Sequence, residues 1–336
     1  LAAVPDTEIV RIHSSSGTTG TPVIIPYTKK DVEDWALMFK RCYETAGLTK
    51  ADRVQITPGY GLWTAGIGFQ AGAEALGAMV IPMGPGNTDK QLKMMVDMQS
   101  TVLCATSSYA LLLAEELGIN KVITFSGCPG DCPTAKYPNW VTCAWPDEYP
   151  KILDYQWNEV LIPFWTKQLE ACRSHGVTKV ALEMHPGFCV YNTETMLKLR
   201  AAVGDTIGAN FDPSHLIWQG IEPVAAIRAL GSAIFHVHAK DTKVDKYNTA
   251  VNGVLDTKHY GDEIHRSWVF RTVGYGNDAQ YWRDMISNLR LVGYDDVLSI
   301  EHEDSFMTNE EGLEKAVRFL KDSVISEPKP GGMFWA

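Results

Sequence analysis

From residue 53 onward the chain alternates short apolar segments typical of β-strands with amphipathic segments typical of helices. Three strand–helix pairs are predicted first, with strands at 53–57, 79–83 and 101–105. Five further strands are predicted at 121–125, 179–183, 207–211, 234–238 and 297–301. Alternation of this kind indicates right-handed βαβ units on a parallel sheet, so the predicted fold class is α/β.

Composition excludes several classes of function. The chain carries 40 acidic and 30 basic residues, a formal net charge of −10, and no basic stripe that would replace the counterions of a nucleic acid. It contains no run of about 18 apolar residues, so no membrane span is expected. Seven cysteines spread over 336 residues favour a reducing compartment over a disulfide scaffold. The expected location is the cytoplasm.

Four of the five later strands end in a side chain that can bind a metal ion. These side chains are Glu183, Asp212, His238 and Glu301. A single charged residue after a strand is commonplace, but four in successive units are not. In a TIM barrel the carboxyl ends of the strands converge on one cavity. Carboxylate oxygens with one imidazole suit Mn²⁺, Mg²⁺, Co²⁺ or Zn²⁺, so the sequence predicts a divalent metal site.

Other polar residues flank the same strand ends. His185, Lys240, Asp241 and His302 are candidates to orient the ligands or to bind substrate hydroxyls, with an ordinary polar loop residue as the alternative for each. His236 should face the same side of its strand as His238, because strand side chains repeat every two residues, and we expect it to pack in the core. The long polar stretch 241–275 is predicted to be a functional lid.

Residues 122–336 resemble a sugar phosphate isomerase/epimerase of the xylose isomerase-like TIM-barrel superfamily. The motifs that carry the resemblance are Thr124-Phe-Ser-Gly-Cys-Pro-Gly-Asp131, Tyr137-Pro-Asn-Trp140, Asn210-Phe-Asp-Pro-Ser-His215 and His236-Val-His-Ala-Lys-Asp241. The resemblance implies that Glu183, Asp212, His238 and Glu301 hold the metal. It also implies that His215 contacts the substrate or a second metal. Cys189 stands where sugar epimerases of this group have a further acidic substrate ligand.

The chemistry that such a site permits follows from its charges. A divalent ion that binds adjacent hydroxyl and carbonyl oxygens polarises the carbonyl and stabilises an enediolate. Glu183 and Glu301 are the predicted catalytic pair, one withdrawing a proton from the neighbouring carbon and the other returning it. Return to the same carbon gives epimerisation, and return to the adjacent carbon gives aldose–ketose isomerisation. The predicted substrate-binding residues are His185, His215, Lys240 and Asp241.

The first 117 residues resemble instead an internal segment of phenylacetate–CoA ligase, an AMP-forming enzyme. The matching stretches are Val10-Arg-Ile-His-Ser-Ser-Ser-Gly-Thr-Thr-Gly-Thr-Pro22, Tyr60-Gly-Leu-Trp-Thr-Ala-Gly66 and Ile81-Pro-Met-Gly-Pro-Gly86. In that family the Ser/Thr/Gly loop wraps the phosphates of ATP. The implied cofactor-binding residues are Ser15, Ser16, Gly17, Thr18, Thr19 and Gly20. The ligase's hinge and its lid with the catalytic lysine have no counterpart here.

The chain therefore combines segments of two unrelated families, at 1–117 and 118–336, with the junction between Tyr109 and Val122. We hypothesise that the three ligase-like βα units complete an eight-stranded TIM-barrel-like arrangement with the five later strands. An open ligase-like sheet beside a partial barrel is the alternative. The main functional prediction is a metal-dependent sugar isomerase or epimerase acting on a small sugar or polyol, with homo-oligomerisation left open. The alternatives are a ligase fragment that binds ATP, and an inactive chimeric scaffold.

Overall fold

The computed structural model describes residues 3–14, 23–62 and 64–327. The chain divides into two compact units, residues 1–118 and 119–336. In the described part of the chain, every helix is too short or too polar to cross a membrane.

The first unit contains an antiparallel hairpin and a three-stranded parallel sheet. Its elements are β1 (Ile9–Ser14), β2 (Ile24–Thr28), α1 (Lys29–Thr45), β3 (Arg53–Ile56), α2 (Thr64–Leu76), β4 (Met79–Pro82), α3 (Thr88–Met98), β5 (Val102–Cys104) and α4 (Ser107–Glu116), after a 3-10 turn at Asp6–Glu8. A capping box between Thr28 and Asp31 begins α1. Helices α1 and α2 can pack closely because Gly72 on α2 has no side chain: a Cβ there would lie 2.4 Å from the Cβ of Phe39 on α1.

The second unit contains a five-stranded parallel sheet and a two-stranded antiparallel hairpin. Its strands are β6 (Lys121–Phe125), β7 (Lys179–Glu183), β8 (Ile207–Phe211), β9 (Ile234–Ala239), β10 (Asp241–Val244), β11 (Trp268–Arg271) and β12 (Leu298–Ile300). Its helices are α5 (Glu148–Asp154), α6 (Ile162–Ser174), α7 (Thr193–Val203), α8 (Pro213–Trp218), α9 (Pro223–Leu230), α10 (Lys246–Asn252), α11 (Ala279–Leu291) and α12 (Asn309–Ser323), with a π-helical segment at Tyr155–Leu161 and a 3-10 turn at Gly231–Ala233.

The order of the five-stranded sheet is β12-β9-β8-β7-β6, with every pair parallel. All residues of β8 are buried, as expected of a parallel strand covered on both faces. Lys121, at the start of β6, forms a 2.6 Å ion pair with Asp296, which precedes β12. The two edge strands therefore approach each other at their amino ends, and the sheet is curled. The predicted α/β fold and the five barrel-type strands are confirmed.

The hypothesis that the ligase-like βα units complete this barrel is wrong. In the described residues, β3 has β4 and β5 as its neighbours, and β12 pairs with β9 alone. A closed barrel requires every strand to share one consistent tilt and stagger with two neighbours. In the described residues, the parallel strands of the first unit pair only with one another, and the five later strands form a partial barrel.

The predicted lid segment, 241–275, has regular structure that the sequence reading missed. Strands β10 and β11 pair in antiparallel register, from Asp241 opposite Arg271 to Val244 opposite Trp268, and α10 lies between them. The ring of Trp268 stacks on that of Trp218 with centroids 4.5 Å apart. The buried guanidinium of Arg266 lies 4.3 Å from the ring centroid of Tyr260. An aromatic core thus holds this segment, whose role as a lid stays a prediction.

Candidate metal centre

The four predicted ligands come together at the carboxyl end of the five-stranded sheet. Glu183 is the last residue of β7, Asp212 follows β8, His238 lies near the end of β9 and Glu301 follows β12. Each offers one ligand-type atom, and these four atoms all lie within 4.8 Å of one another. The parallel register brings them together, because parallel strands of similar length end at the same edge of the sheet.

His238 is the central contact of the cluster. Its Nδ1 lies 3.1 Å from Oε2 of Glu183 and 2.9 Å from Oε2 of Glu301. Asp212 is buried, and its Oδ1 accepts a 2.9 Å hydrogen bond from the amide of Ser214 at the start of α8. The cap fixes the orientation of this carboxylate and leaves Oδ2 directed to the cluster.

Two further histidines adjoin the carboxylates. Nε2 of the buried His215 lies 3.3 Å from Oε1 of Glu183 and 3.5 Å from Oδ2 of Asp212. The rings of His185 and His215 have centroids 4.1 Å apart. Glu183, His185 and His215 form a second group whose ligand-type atoms lie within 4.8 Å of one another.

Lys240 is the buried cation of the site, with only 2% of its surface exposed. Its Nζ lies 2.6 Å from Oε2 of Glu303, 3.3 Å from Oε1 of Glu301 and 3.7 Å from Oδ2 of Asp212. The ammonium also lies 4.3 Å from the ring centroid of Phe270 on β11. The predicted site residues Lys240, His215 and His185 therefore all border the four-residue cluster.

The electrostatics of the cluster follow from burial and close approach. Burial would lower the pKa of His238, but hydrogen bonds to Glu183 and Glu301 outweigh it and raise that pKa to about 10. Burial would raise the pKa of Glu183, but hydrogen bonds from His215 and His238 hold it below its usual range. Burial, opposed by Lys240 and reinforced by the other carboxylates, raises the pKa of Asp212 to about 7.

These pKa directions come from three carboxylates held close together, of which Glu183 and Asp212 are buried and Glu301 is partly exposed. Like charges at such distances repel one another, and a cation bound among them offsets that repulsion. Burial lowers the pKa of His215 to about 3, so its imidazole is neutral, whereas His238 holds a proton between Glu183 and Glu301 and would release it on binding an ion. Burial also lowers the pKa of His185.

The residues present fit a divalent cation. Oδ2 of Asp212 and Oε2 of Glu301 are buried and have no hydrogen-bond partner of good geometry among the described residues. Opposite ligands of an ion bound at about 2.1 Å are about 4.2 Å apart, so the 4.8 Å limit of the cluster needs only small side-chain adjustments. Hard carboxylate oxygens with imidazole nitrogen are also the donor set that such ions prefer.

Asp241 lies beside the site but has a different set of contacts. It is buried, and its two carboxylate oxygens accept six hydrogen bonds. The donors are the amides of Thr242, Gly274, Gly276 and Asn277, the side-chain amide of Asn277 and the indole of Trp282. Both oxygens are thus engaged by the protein, and we leave Asp241 out of the proposed substrate contacts.

Three residues at the site were not singled out from the sequence. Nδ2 of the buried Asn210 lies 3.1 Å from Oε2 of Glu183 and 3.2 Å from Nδ1 of His238. Strand periodicity could have found Asn210, which lies two residues before Asp212, and Glu303, two residues after Glu301. Phe270 had no such signal, because its position depends on how the 241–275 segment folds back.

The described candidates His236 and His302 are not among the ligand-type groups of the cluster. His236 is buried with its ring centroid 5.5 Å from that of His238, and the ring of the half-buried His302 occupies the space where a Cβ at Gly312 would lie. The proposed ATP-phosphate residues Ser15, Ser16, Gly17, Thr18, Thr19 and Gly20 are outside the described residues.

Comparison with known proteins supports both sequence resemblances. Residues 109–323 match the family described as xylose isomerase-like TIM barrel. The uncharacterised protein YfiH of Bacillus subtilis (strain 168) is 45% identical over 214 residues, which cover 63% of this chain and 68% of YfiH. This chain also aligns with the solved structure of D-psicose 3-epimerase with D-tagatose from Clostridium cellulolyticum H10. The two chains are 12% identical with a TM-score of 0.40, and the alignment covers 86% of this chain and 92% of the epimerase chain.

The amino-terminal part matches another family. Phenylacetate-coenzyme A ligase of Pseudomonas putida is 47% identical over 115 residues, which make up 34% of this chain. That match covers 26% of the ligase, so this chain spans about a quarter of its length.

Proposed function

The chain belongs to the xylose isomerase-like TIM-barrel family, and from that premise we propose that its second unit is a divalent-metal-dependent sugar isomerase or epimerase. The observation that carries the proposal is the cluster of Glu183, Asp212, His238 and Glu301, whose ligand-type atoms lie within 4.8 Å of one another. The four residues lie at the carboxyl ends of four parallel strands, which supports the proposal.

Those four residues would hold the ion. When bound, it supplies Lewis acidity, which polarises a substrate carbonyl and makes the proton on the neighbouring carbon removable. Asn210 steadies Glu183 through its 3.1 Å hydrogen bond, and the Ser214 amide steadies Asp212. Partners of this kind orient ligands and sustain metal affinity.

Glu183 and Glu301 are the proposed proton carriers. They approach Nδ1 of His238 from two different strands, so they can border a substrate carbon from two sides. One withdraws the proton and the other returns it to the enediolate. The Lys240 ammonium, 3.3 Å from Glu301, is placed to donate to a substrate oxygen, and the neutral His215 and His185 can bind hydroxyls.

Metal content tests the first half of the proposal. The full chain is stripped with a chelator and titrated with Mn²⁺, Mg²⁺, Co²⁺ and Zn²⁺, with bound metal measured by mass spectrometry after dialysis. We expect stoichiometric binding, weakened more than about 100-fold in Asp212→Asn, since loss of a mere ligand-orienting partner already costs 10–100-fold. Asparagine can keep the cap to Ser214, so the change removes charge more than structure.

The matched control is Asp284→Asn, which removes an exposed carboxylate on α11. It should bind metal like the unchanged chain. Absence of stoichiometric metal, or equal binding by the two variants, would contradict the metal site and favour the inactive-scaffold alternative.

Turnover tests the second half. The metal-loaded chain is incubated in D₂O with a panel of free and phosphorylated ketoses, and NMR follows deuterium entry next to the carbonyl. Deuterium at a carbon whose configuration is inverted indicates epimerisation, and a new aldose indicates isomerisation. Glu183→Gln and Glu301→Gln should abolish exchange. A chain that binds metal but exchanges no proton with any member of the panel would refute the catalytic assignment.

A second candidate function concerns the first unit, which we propose retains binding of nucleotide phosphates. It is supported by the 47% identity to phenylacetate-coenzyme A ligase over 115 residues. Calorimetric titration with ATP tests it, with Ser16→Ala as the variant expected to weaken binding. Absence of heat on titration of the unchanged chain would end this candidate.

A further inference from the structure

Two cysteines lie on adjacent loops beside the cluster. Cys128 is in the loop after β6, and Cys189 is in the loop after β7. The amide of Cys189 donates a 3.0 Å hydrogen bond to the carbonyl of Gly127, the residue before Cys128. This bond holds the two loops side by side next to the cysteines.

The two cysteines share a cavity. They line a space of about 180 Å³ together with Trp140, Trp157 and Tyr191. A water molecule takes up about 30 Å³, so a small oxidant can enter this cavity. Cys189 is buried and Cys128 is half-buried. The pair is thus enclosed by protein but reachable by a small molecule.

The surroundings make the two sulfurs unequal. The neighbouring thiol of Cys189 lowers the pKa of Cys128 in spite of its burial, and the amide of Asn139 adds to this effect. The neighbouring Cys128, together with burial, raises the pKa of Cys189. Since the thiolate is the reactive form, Cys128 is the nucleophile and Cys189 the partner thiol.

We propose that Cys128 and Cys189 form a peroxide-sensitive pair that closes into a reversible disulfide between the two loops. The Cys128 thiolate attacks one oxygen of hydrogen peroxide, an S–O bond forms, the O–O bond breaks, and the departing hydroxide takes up a proton to become water. Cys189 then loses its proton and attacks the sulfur of the Cys128 sulfenic acid. An S–S bond forms, the S–O bond breaks, and a second water leaves, so peroxide takes up the two electrons.

The disulfide would tie the loop that carries His185. The amide of His185 donates to the carbonyl of Val190, next to Cys189, at 3.2 Å. A link at Cys189 therefore restrains a residue bordering the metal cluster. Formation of the link does not depend on the proposed function, since it requires only the two thiols and an oxidant.

Peptide mapping of the full chain tests the proposal. After brief exposure to stoichiometric hydrogen peroxide and alkylation of the remaining thiols, mass spectrometry without reductant should find the Cys128 and Cys189 peptides joined. Two thiols per chain should disappear and return on reduction. Oxidation confined to the exposed Cys42, Cys132 and Cys143, or a link from Cys128 to Cys132, would overturn it.

Variants assign the order of steps. Cys189→Ala should stop at the Cys128 sulfenic acid, which dimedone traps, whereas Cys128→Ser should leave Cys189 as a free thiol. Cys132→Ser is the matched control and should link like the unchanged chain. Dimedone labelling at Cys189 in Cys128→Ser would reverse the assignment of nucleophile. The map of the unchanged chain decides the pairing itself, whether or not a variant folds.

Discussion

Replacement of Asp241 by alanine should destabilise the second unit more than any other single change at a carboxylate outside the metal cluster. Asp241 starts β10 and is 0% exposed, and it ties that strand to the turn 274–277 and to α11. Four of its donors have no other acceptor among the described residues. They are the amides of Gly274, Gly276 and Asn277 and the indole of Trp282.

The magnitude follows from those four donors. Each buried donor left without an acceptor costs about 1–3 kcal/mol. Relaxation and entry of water reduce such sums, so we take the lower end and expect about 4 kcal/mol in total. With a slope of about 2–3 kcal/mol per molar urea, the unfolding midpoint should fall by about 1–2 M.

Urea unfolding and hydrogen exchange measure this effect together. Amides in the peptide spanning residues 272–282 should exchange faster in Asp241→Ala under native conditions, because their acceptor is gone. The control is Asp284→Ala on α11, whose carboxylate is exposed and accepts a 2.9 Å bond from Gln280. Its free energy of unfolding should change by no more than about 0.5 kcal/mol. An Asp241→Ala chain with unchanged midpoint and unchanged exchange would refute the reasoning.

Three further predictions test other parts of the fold. Gly276→Ala should destabilise the second unit by about 1–3 kcal/mol, because its Cβ would lie 2.4 Å from the carbonyl oxygen of Thr242, while Gly59→Ala, with nothing within 4 Å, serves as control in thermal unfolding. Gln55→Leu should lower the free energy of unfolding of the first unit by about 2 kcal/mol, because the side chains of Gln91 and Ser100 each lose a 2.8 Å hydrogen bond to Gln55. Equal rates of amide hydrogen exchange in β3 of the variant and the unchanged chain would contradict this. Lys240→Met should lower the free energy of unfolding by about 3 kcal/mol without metal, because it removes the cation beside the buried carboxylate of Asp212 and the partly exposed Glu301 and Glu303. Added Mn²⁺ should raise the melting temperature of the variant more than that of the unchanged chain.

Much of the second unit could be predicted from sequence because its strands are short, rich in apolar residues and flanked by helices. Strands β6, β7 and β8 begin and end at the predicted residues. Once the strands are placed, the residues at their carboxyl ends are placed as well, since parallel strands present those ends at one edge. That is why four candidate ligands, more than a hundred residues apart at the extremes, could be named in advance.

Contacts between distant segments could not be predicted in the same way. The sequence named Asp241 as a substrate contact, but the turn at 274–277 folds over it and takes up both its oxygens. It missed β10 and β11, because strands of four residues in a polar segment carry little periodicity. It also missed Asn210, whose importance lies in the 3.1 Å bond to Glu183 on the neighbouring strand.

The local pattern of apolar and polar residues by itself determined the strands, their parallel arrangement and the identity of the side chains at their ends. Only the tertiary structure decided that the strands form two separate sheets, because strand pairing depends on tilt and stagger, which no local pattern encodes. The same holds for the chemistry of each polar group. Whether a carboxylate is free for an ion, like Asp212, or consumed by backbone donors, like Asp241, depends on which distant segment packs against it.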